Sequence, residues 1–117
     1  MTRGALGEQL AAGYLAAHGY EIVARNFRTR FGELDLIARK DGFLALVEVK
    51  LRKNARYGAA CEAVGPAKRK KLILAAEEWL STHPSALQPR FDVVEVYLPE
   101  GAQAPAAIHH LKNAFDA

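Results

Sequence analysis

Three charged residues stand inside otherwise apolar runs: Asp35 in "ELDLIARK", and Glu48 and Lys50 in "FLALVEVKL". Charged side chains rarely occupy such positions unless they are paired or hold something. Asp41-Gly42 separates the two runs and is among the strongest short hairpin signals. A two-residue loop there pairs Lys40 with Phe43 and Ala38 with Ala45. By the same register Asp35 falls opposite Glu48, and Glu33 opposite Lys50, with all four on one face. Opposite Cβ atoms lie roughly 4.5–5.5 Å apart, so two facing carboxylates repel. A divalent cation relieves that conflict, and Mg²⁺ commonly takes one or two carboxylates and completes its octahedron with water and phosphate oxygens. The competing reading is a salt-bridge network at a sheet end with no metal. A one-residue slip would turn the whole set to the other face.

The elements that must hold these residues are legible in outline. Residues 4 to 18 carry Leu6, Leu10, Tyr14 and Ala17 at helical spacing, with Gly19 placed to close the helix. "YEIVARNFR" reads as a first strand, broken at Gly32, and the two charged runs follow as strands two and three. Residues 53 to 65 show no period and read as a loop. Pro66 opens a second helix in which Leu72, Ala75, Ala76, Trp79 and Leu80 recur until "STHP", with Trp79 expected in the core. "RFDVVEVYL" is a fourth strand and "AAIHHL" a weaker fifth. The near-continuous apolar run Phe43–Val49 marks a central strand covered on both faces. The expected class is α/β: helix, three-strand meander, helix, then one or two strands, with a central mixed sheet flanked by helices.

A chain of 117 residues has room for one domain, residues 1–117, with an ordinary apolar content. No run is apolar enough to span a membrane, Glu8 and Gln9 interrupt any signal-peptide pattern, and the lone Cys61 suits a reducing compartment, so a cytoplasmic location is expected. The four histidines lack zinc-site spacing. Charge is concentrated: residues 50 to 71 hold eight basic side chains against Glu62, whereas residues 72 to 117 hold two basic and six acidic. Such clustering points to a polyanion, the alternative being a solvated basic face.

The order Asp35, twelve intervening residues, Glu48-Val49-Lys50 resembles the PD-(D/E)XK nuclease superfamily, whose fold is restriction endonuclease-like. The phrases "GEQLAAGYLAAHGYEIVARNFRTRFGELDLIA", "LALVEVKLR" and "RFDVVEV" resemble the YraN-like family of small bacterial proteins over residues 4 to about 98. In size and order of elements the chain also resembles archaeal Holliday junction resolvases. Leu34 departs from the proline of the superfamily's name. The resemblance implies that Asp35 and Glu48 bind metal, that Lys50 is the catalytic lysine, and that Glu8 on the first helix adds a ligand to metal or water. The implied chemistry is phosphodiester hydrolysis with Mg²⁺ or Mn²⁺, Lys50 stabilising developing negative charge or aligning the attacking water.

Two readings follow. One is a metal-dependent endonuclease acting on DNA, in particular branched or structured DNA in repair or recombination, with a symmetric homodimer suggested by the junction-cleaving relatives. The other is a catalytically inactive nucleic-acid-binding adaptor that keeps the nuclease fold. In both, Arg52, Lys53, Arg56, Lys68, Arg69, Lys70 and Lys71 would track a phosphate backbone and Tyr57 would stack on a base.

Overall fold

The computed structural model describes residues 1–53 and 64–116, so Arg56, Tyr57 and Cys61 lie outside the described residues. Helix α1 (Arg3–Ala17) opens at Thr2, whose hydroxyl accepts from the Ala5 N–H at 3.0 Å. It closes at Gly19, whose φ of +90° is inexpensive without a Cβ. Strands β1 (Glu21–Arg28), β2 (Glu33–Lys40) and β3 (Phe43–Arg52) form the expected meander. Asp41 and Gly42 both take positive φ, the conformation that a tight two-residue hairpin requires. The register matches the expectation from Lys40↔Phe43 as far as Leu36↔Val47.

Helix α2 (Pro66–Thr82) carries the chain from β3 to β4 (Gln88–Tyr97), which pairs with β3 in parallel from Phe43↔Gln88 to Arg52↔Tyr97. Strand β5 (Ala107–Phe115) pairs antiparallel with β4. The result is a five-stranded mixed sheet in the order β1-β2-β3-β4-β5, with β3 central. Helix α1 packs Ala11, Ala12 and Leu15 on one face, over Leu36, Ala38, Ala45, Val47, Val94 and Val96. Helix α2 packs Leu72, Ala75, Ala76 and Trp79 on the other, over Ile37, Leu44, Leu46 and Val93. Trp79 is buried there, as its place in the helical pattern implied. Among the described residues no helix is long and apolar enough to cross a membrane.

Strand β5 runs four residues past the expected "AAIHHL". Its last stretch, "KNAF", has no strand alternation, and Asn113 has a φ of 53°. It is held from across the sheet: the Asn113 N–H donates to Asp92 at 3.0 Å and Phe115 stacks on Phe91 at 4.8 Å. That extension depends on β4 and is absent from the local pattern.

Candidate functional site

Alternation in β2 breaks beside Asp35. Leu34 belongs to the α2-side core together with Ile37, whereas Leu36 and Ala38 belong to the α1 side. The ladder to β1 keeps one register from Arg25↔Leu36 to Phe27↔Leu34, which sets Asn26, at a φ of 51°, opposite Asp35. The ladder to β3 ends at Leu36↔Val47, one step short of the expected Asp35–Glu48 pair. The Val49 N–H instead donates to Asp35 Oδ2 at 2.8 Å. The carboxylate thus occupies the fork where β2 and β3 separate, and takes over a hydrogen bond that a backbone carbonyl would otherwise accept. This corrects the expected face-sharing set: the two residues do meet, but through a side chain set into the fork and not as a ladder pair.

Glu8 reaches the same place from α1. An added Cβ on Gly7 would stand 3.1 Å from Leu51 Cδ1, so glycine is what lets α1 approach β3 this closely. Carboxylate oxygens of Glu8, Glu33 and Asp35 lie within 4.8 Å of one another. With its amide nitrogen facing them, Asn26 donates to Glu8 at 3.0 and 3.2 Å and to Glu33 at 2.9 Å. Burial, followed by the charges of Asp35 and Glu33, raises the Glu8 carboxyl above its ordinary range, and the Asn26 amide offsets part of that. A cleft of about 330 Å³ lined by Glu8, Gln9, Arg25 and Asn26 opens beside this group. The larger cavity of about 610 Å³ lies at the hairpin end, around Phe43, Arg90 and Phe115, and contains none of these carboxylates.

Glu48 lies near enough to Asp35 for the two carboxyls to act on each other. It is only 6% exposed. Burial, then the charge of Asp35, pushes its carboxyl up to about 7, while Lys68 and Lys50 pull it down. The Nζ atoms of both lysines lie 3.6 Å from Glu48 Oε1, Lys50 from the same strand and Lys68 from α2. Helix α2 is brought here by the turn before β2, where a Cβ on Gly32 would lie 3.2 Å from Lys71 Cβ.

Asp35 is therefore shared: its carboxylate groups with Glu8 and Glu33, and it also acts on Glu48. Of the expected ligand set, Glu8 and Asp35 share the three-carboxylate group; Glu48 touches Asp35 but is not part of it. Glu33 takes a place that had not been given to it as a ligand. Oxygen donors without imidazole or thiolate fit a hard cation such as Mg²⁺ or Mn²⁺, and a crowd of neighbouring carboxylates is what a divalent charge would relieve. Asn26 was missed altogether; the hint was a residue tolerant of positive φ in the middle of a strand run.

The basic residues divide. Arg52 is spent on buried Glu95, Nε to Oε2 at 3.3 Å, and the Tyr97 hydroxyl donates to the same carboxylate. Arg69 donates from Nε to the Val64 carbonyl at 2.7 Å and lies over the Phe115 ring. Both were expected to face nucleic acid; each engages the fold through Nε, and the Arg52 side chain stays 30% exposed. Among the described residues Lys53 makes a loose exposed pair with Glu100 at 3.9 Å, while Lys70 and Lys71 are exposed on α2. The first turn of α2 contains no acidic residue, and Gly65 provides no side-chain cap.

Comparison with known proteins places the chain among bacterial relatives. A family model described as "Uncharacterised protein family UPF0102" matches residues 7–96. A UPF0102 protein of Rhodococcus opacus is 46% identical over 98% of this chain and 97% of its own length. One from Symbiobacterium thermophilum is 47% identical over 97% and 96%, and one from Caldanaerobacter subterraneus subsp. tengcongensis is 39% identical over 97% and 94%.

Proposed function

The chain belongs to family UPF0102, whose description assigns no chemistry, and from its own site we propose that it is a metal-dependent endonuclease of the PD-(D/E)XK type, hydrolysing phosphodiester bonds in DNA. One observation carries the reading: Asp35, set in a strand fork, meets Glu8, Glu33 and Glu48 beside the Lys50 and Lys68 ammonium groups. A purely structural cluster has no need of so many carboxyls whose ionised forms oppose one another. Asp35, Glu8 and Glu33 would hold Mg²⁺ or Mn²⁺, with Glu48 completing the set. Bound there, such an ion would supply Lewis-acid polarisation of the phosphoryl group and an activated water. Lys50 would stabilise charge on the phosphoryl oxygens or keep the attacking water in line. Lys53, Lys70 and Lys71 would hold the backbone without reading bases, in keeping with a cytoplasmic protein acting on DNA structure more than on sequence. A four-way junction substrate would call for a symmetric pair of chains.

The test is a panel of duplex, single-stranded, flap and four-way DNA with Mg²⁺ or Mn²⁺. Cutting is expected to need the metal and to fall at least a hundredfold in Asp35→Ala and Lys50→Ala, with binding weakened but retained in Lys50→Ala. A second reading, a binding adaptor that does not cut, is favoured by one observation: Lys50 and Lys68 already compensate Glu48 without a cation. Salt-sensitive binding with no cutting on any substrate would select it.

A further inference from the structure

Glu48 Oε1 receives two ammonium groups at the same 3.6 Å, and the two lysines are not equivalent. Lys50 lies two residues along the same strand and its side chain is 27% exposed. Lys68 comes from the first turn of α2, its side chain is 42% exposed, and the exposed Lys70 and Lys71 follow it. At 3.6 Å each pair is an ion contact longer than a hydrogen bond, and half-exposed pairs of this kind are weakly held. Their function in the structure is to balance a carboxylate that is almost out of water. Once Glu48 ligates a cation, that balance comes from the ion, and the lysine at the rim is repelled by a like charge in place of being attracted.

Resting on the nuclease reading, we propose that Lys68 is an exchangeable phosphate contact: it neutralises Glu48 while that carboxylate has no cation, and turns to a phosphate oxygen of the nucleic acid once Glu48 serves as a ligand. An ammonium on a flexible four-carbon stem suits the exchange, since its three donors need no fixed plane. Metal binding and DNA binding are then coupled through Glu48, each strengthening the other by the same factor.

The coupling is read at pH 8 from duplex DNA binding by fluorescence anisotropy across a potassium chloride series, in EDTA and in Ca²⁺. Wild type, Lys68→Ala, Lys68→Arg, Glu48→Gln and the Lys68→Ala, Glu48→Gln double variant are compared. One phosphate contact changes the slope of log affinity against log salt by about 0.9, or about three- to fourfold in affinity over a fourfold salt range. Lys68→Ala is expected to lose that increment in Ca²⁺ and to match wild type in EDTA, while Lys68→Arg keeps it. In Glu48→Gln, where Lys68 has no carboxylate to neutralise, adding Lys68→Ala should remove the increment in EDTA as well. An equal loss in both buffers would make Lys68 a permanent surface contact and overturn the exchange; no loss in either would remove its phosphate contact. A wild type that binds with the exchange but cuts nothing keeps this inference and removes the enzyme. A wild type that binds no DNA in either buffer removes both.

Discussion

At Glu48, burial and the neighbouring Asp35 act in the same direction, and the carboxyl holds its proton up to about 7. The unfolded chain releases that proton near the ordinary value of 4.5. Between these values the folded state binds more protons, so this group's contribution makes stability fall as pH rises from about 4.5 to about 7 and then level off. Glu48→Gln removes the ionisation while keeping the shape, and the two lysines left behind are exposed enough to be hydrated. Thermal melts should show the variant more stable than wild type at pH 8, by on the order of 1–3 kcal/mol, with the difference shrinking towards pH 4.5. The same variant should lose cleavage, a stability cost carried at the site where function needs it. Glu48 and Lys50 were legible as residues because charge inside an apolar strand run is rare. Lys68 was legible only as one basic residue among many, since nothing local joins it to Glu48.

Among the elements, α1 places Glu8, and Gly7 sets how near that helix can come. Valine at position 7 would press two methyl groups towards Leu51, which already lies 3.1 Å from the position of a first Cβ. Gly7→Val should cost about 1–3 kcal/mol and lower the affinity for Mn²⁺, followed by electron paramagnetic resonance, severalfold as Glu8 moves away from Asp35. Gly13, also in α1, has open space where a Cβ would stand, so Gly13→Ala should raise stability by about 0.5–1 kcal/mol and leave Mn²⁺ affinity unchanged. Helix α1 was readable from its period, and the β2–β3 hairpin from Asp41-Gly42, because both signals are local. The end of that hairpin was not. Where β2 and β3 part, the choice between a ladder bond and the Asp35 side chain depends on β1, where Asn26 takes a φ of 51° opposite Asp35, and on α1 above.

Across the whole molecule, a second polar network closes the sheet away from the carboxylates. Asp92 in β4 accepts from Arg90 at 2.8 Å, pairs with His110 Nε2 at 2.7 Å and accepts the Asn113 N–H at 3.0 Å; Arg90 also donates to the Tyr20 hydroxyl at 2.8 Å. Burial alone would raise the Asp92 carboxyl, but the His110, Arg90 and Asn113 hydrogen bonds outweigh it and hold the group below 3.8. Its stabilisation is complete above that value and is lost as pH falls through the lower folded value. Asp92→Asn should cost about 2–4 kcal/mol at neutral pH, because it leaves the half-buried Arg90 without its counter-charge, and the penalty should narrow in acid melts. Arg52 and Arg69 add internal partners at a distance, each meeting Glu95 or the Val64 carbonyl through Nε. By itself the sequence determined the elements apart from the end of β5, the hairpin register as far as Leu36↔Val47, and the carboxylates and lysine at the site, since periodicity, turn conformation and the cost of burying charge act over a few residues. Only the tertiary structure decided which charges meet: Glu8 and Glu33 with Asp35, Lys68 with Glu48, and Arg52 with Glu95. Those meetings depend on how helices dock on a sheet, and docking is set by packing between residues far apart in the chain.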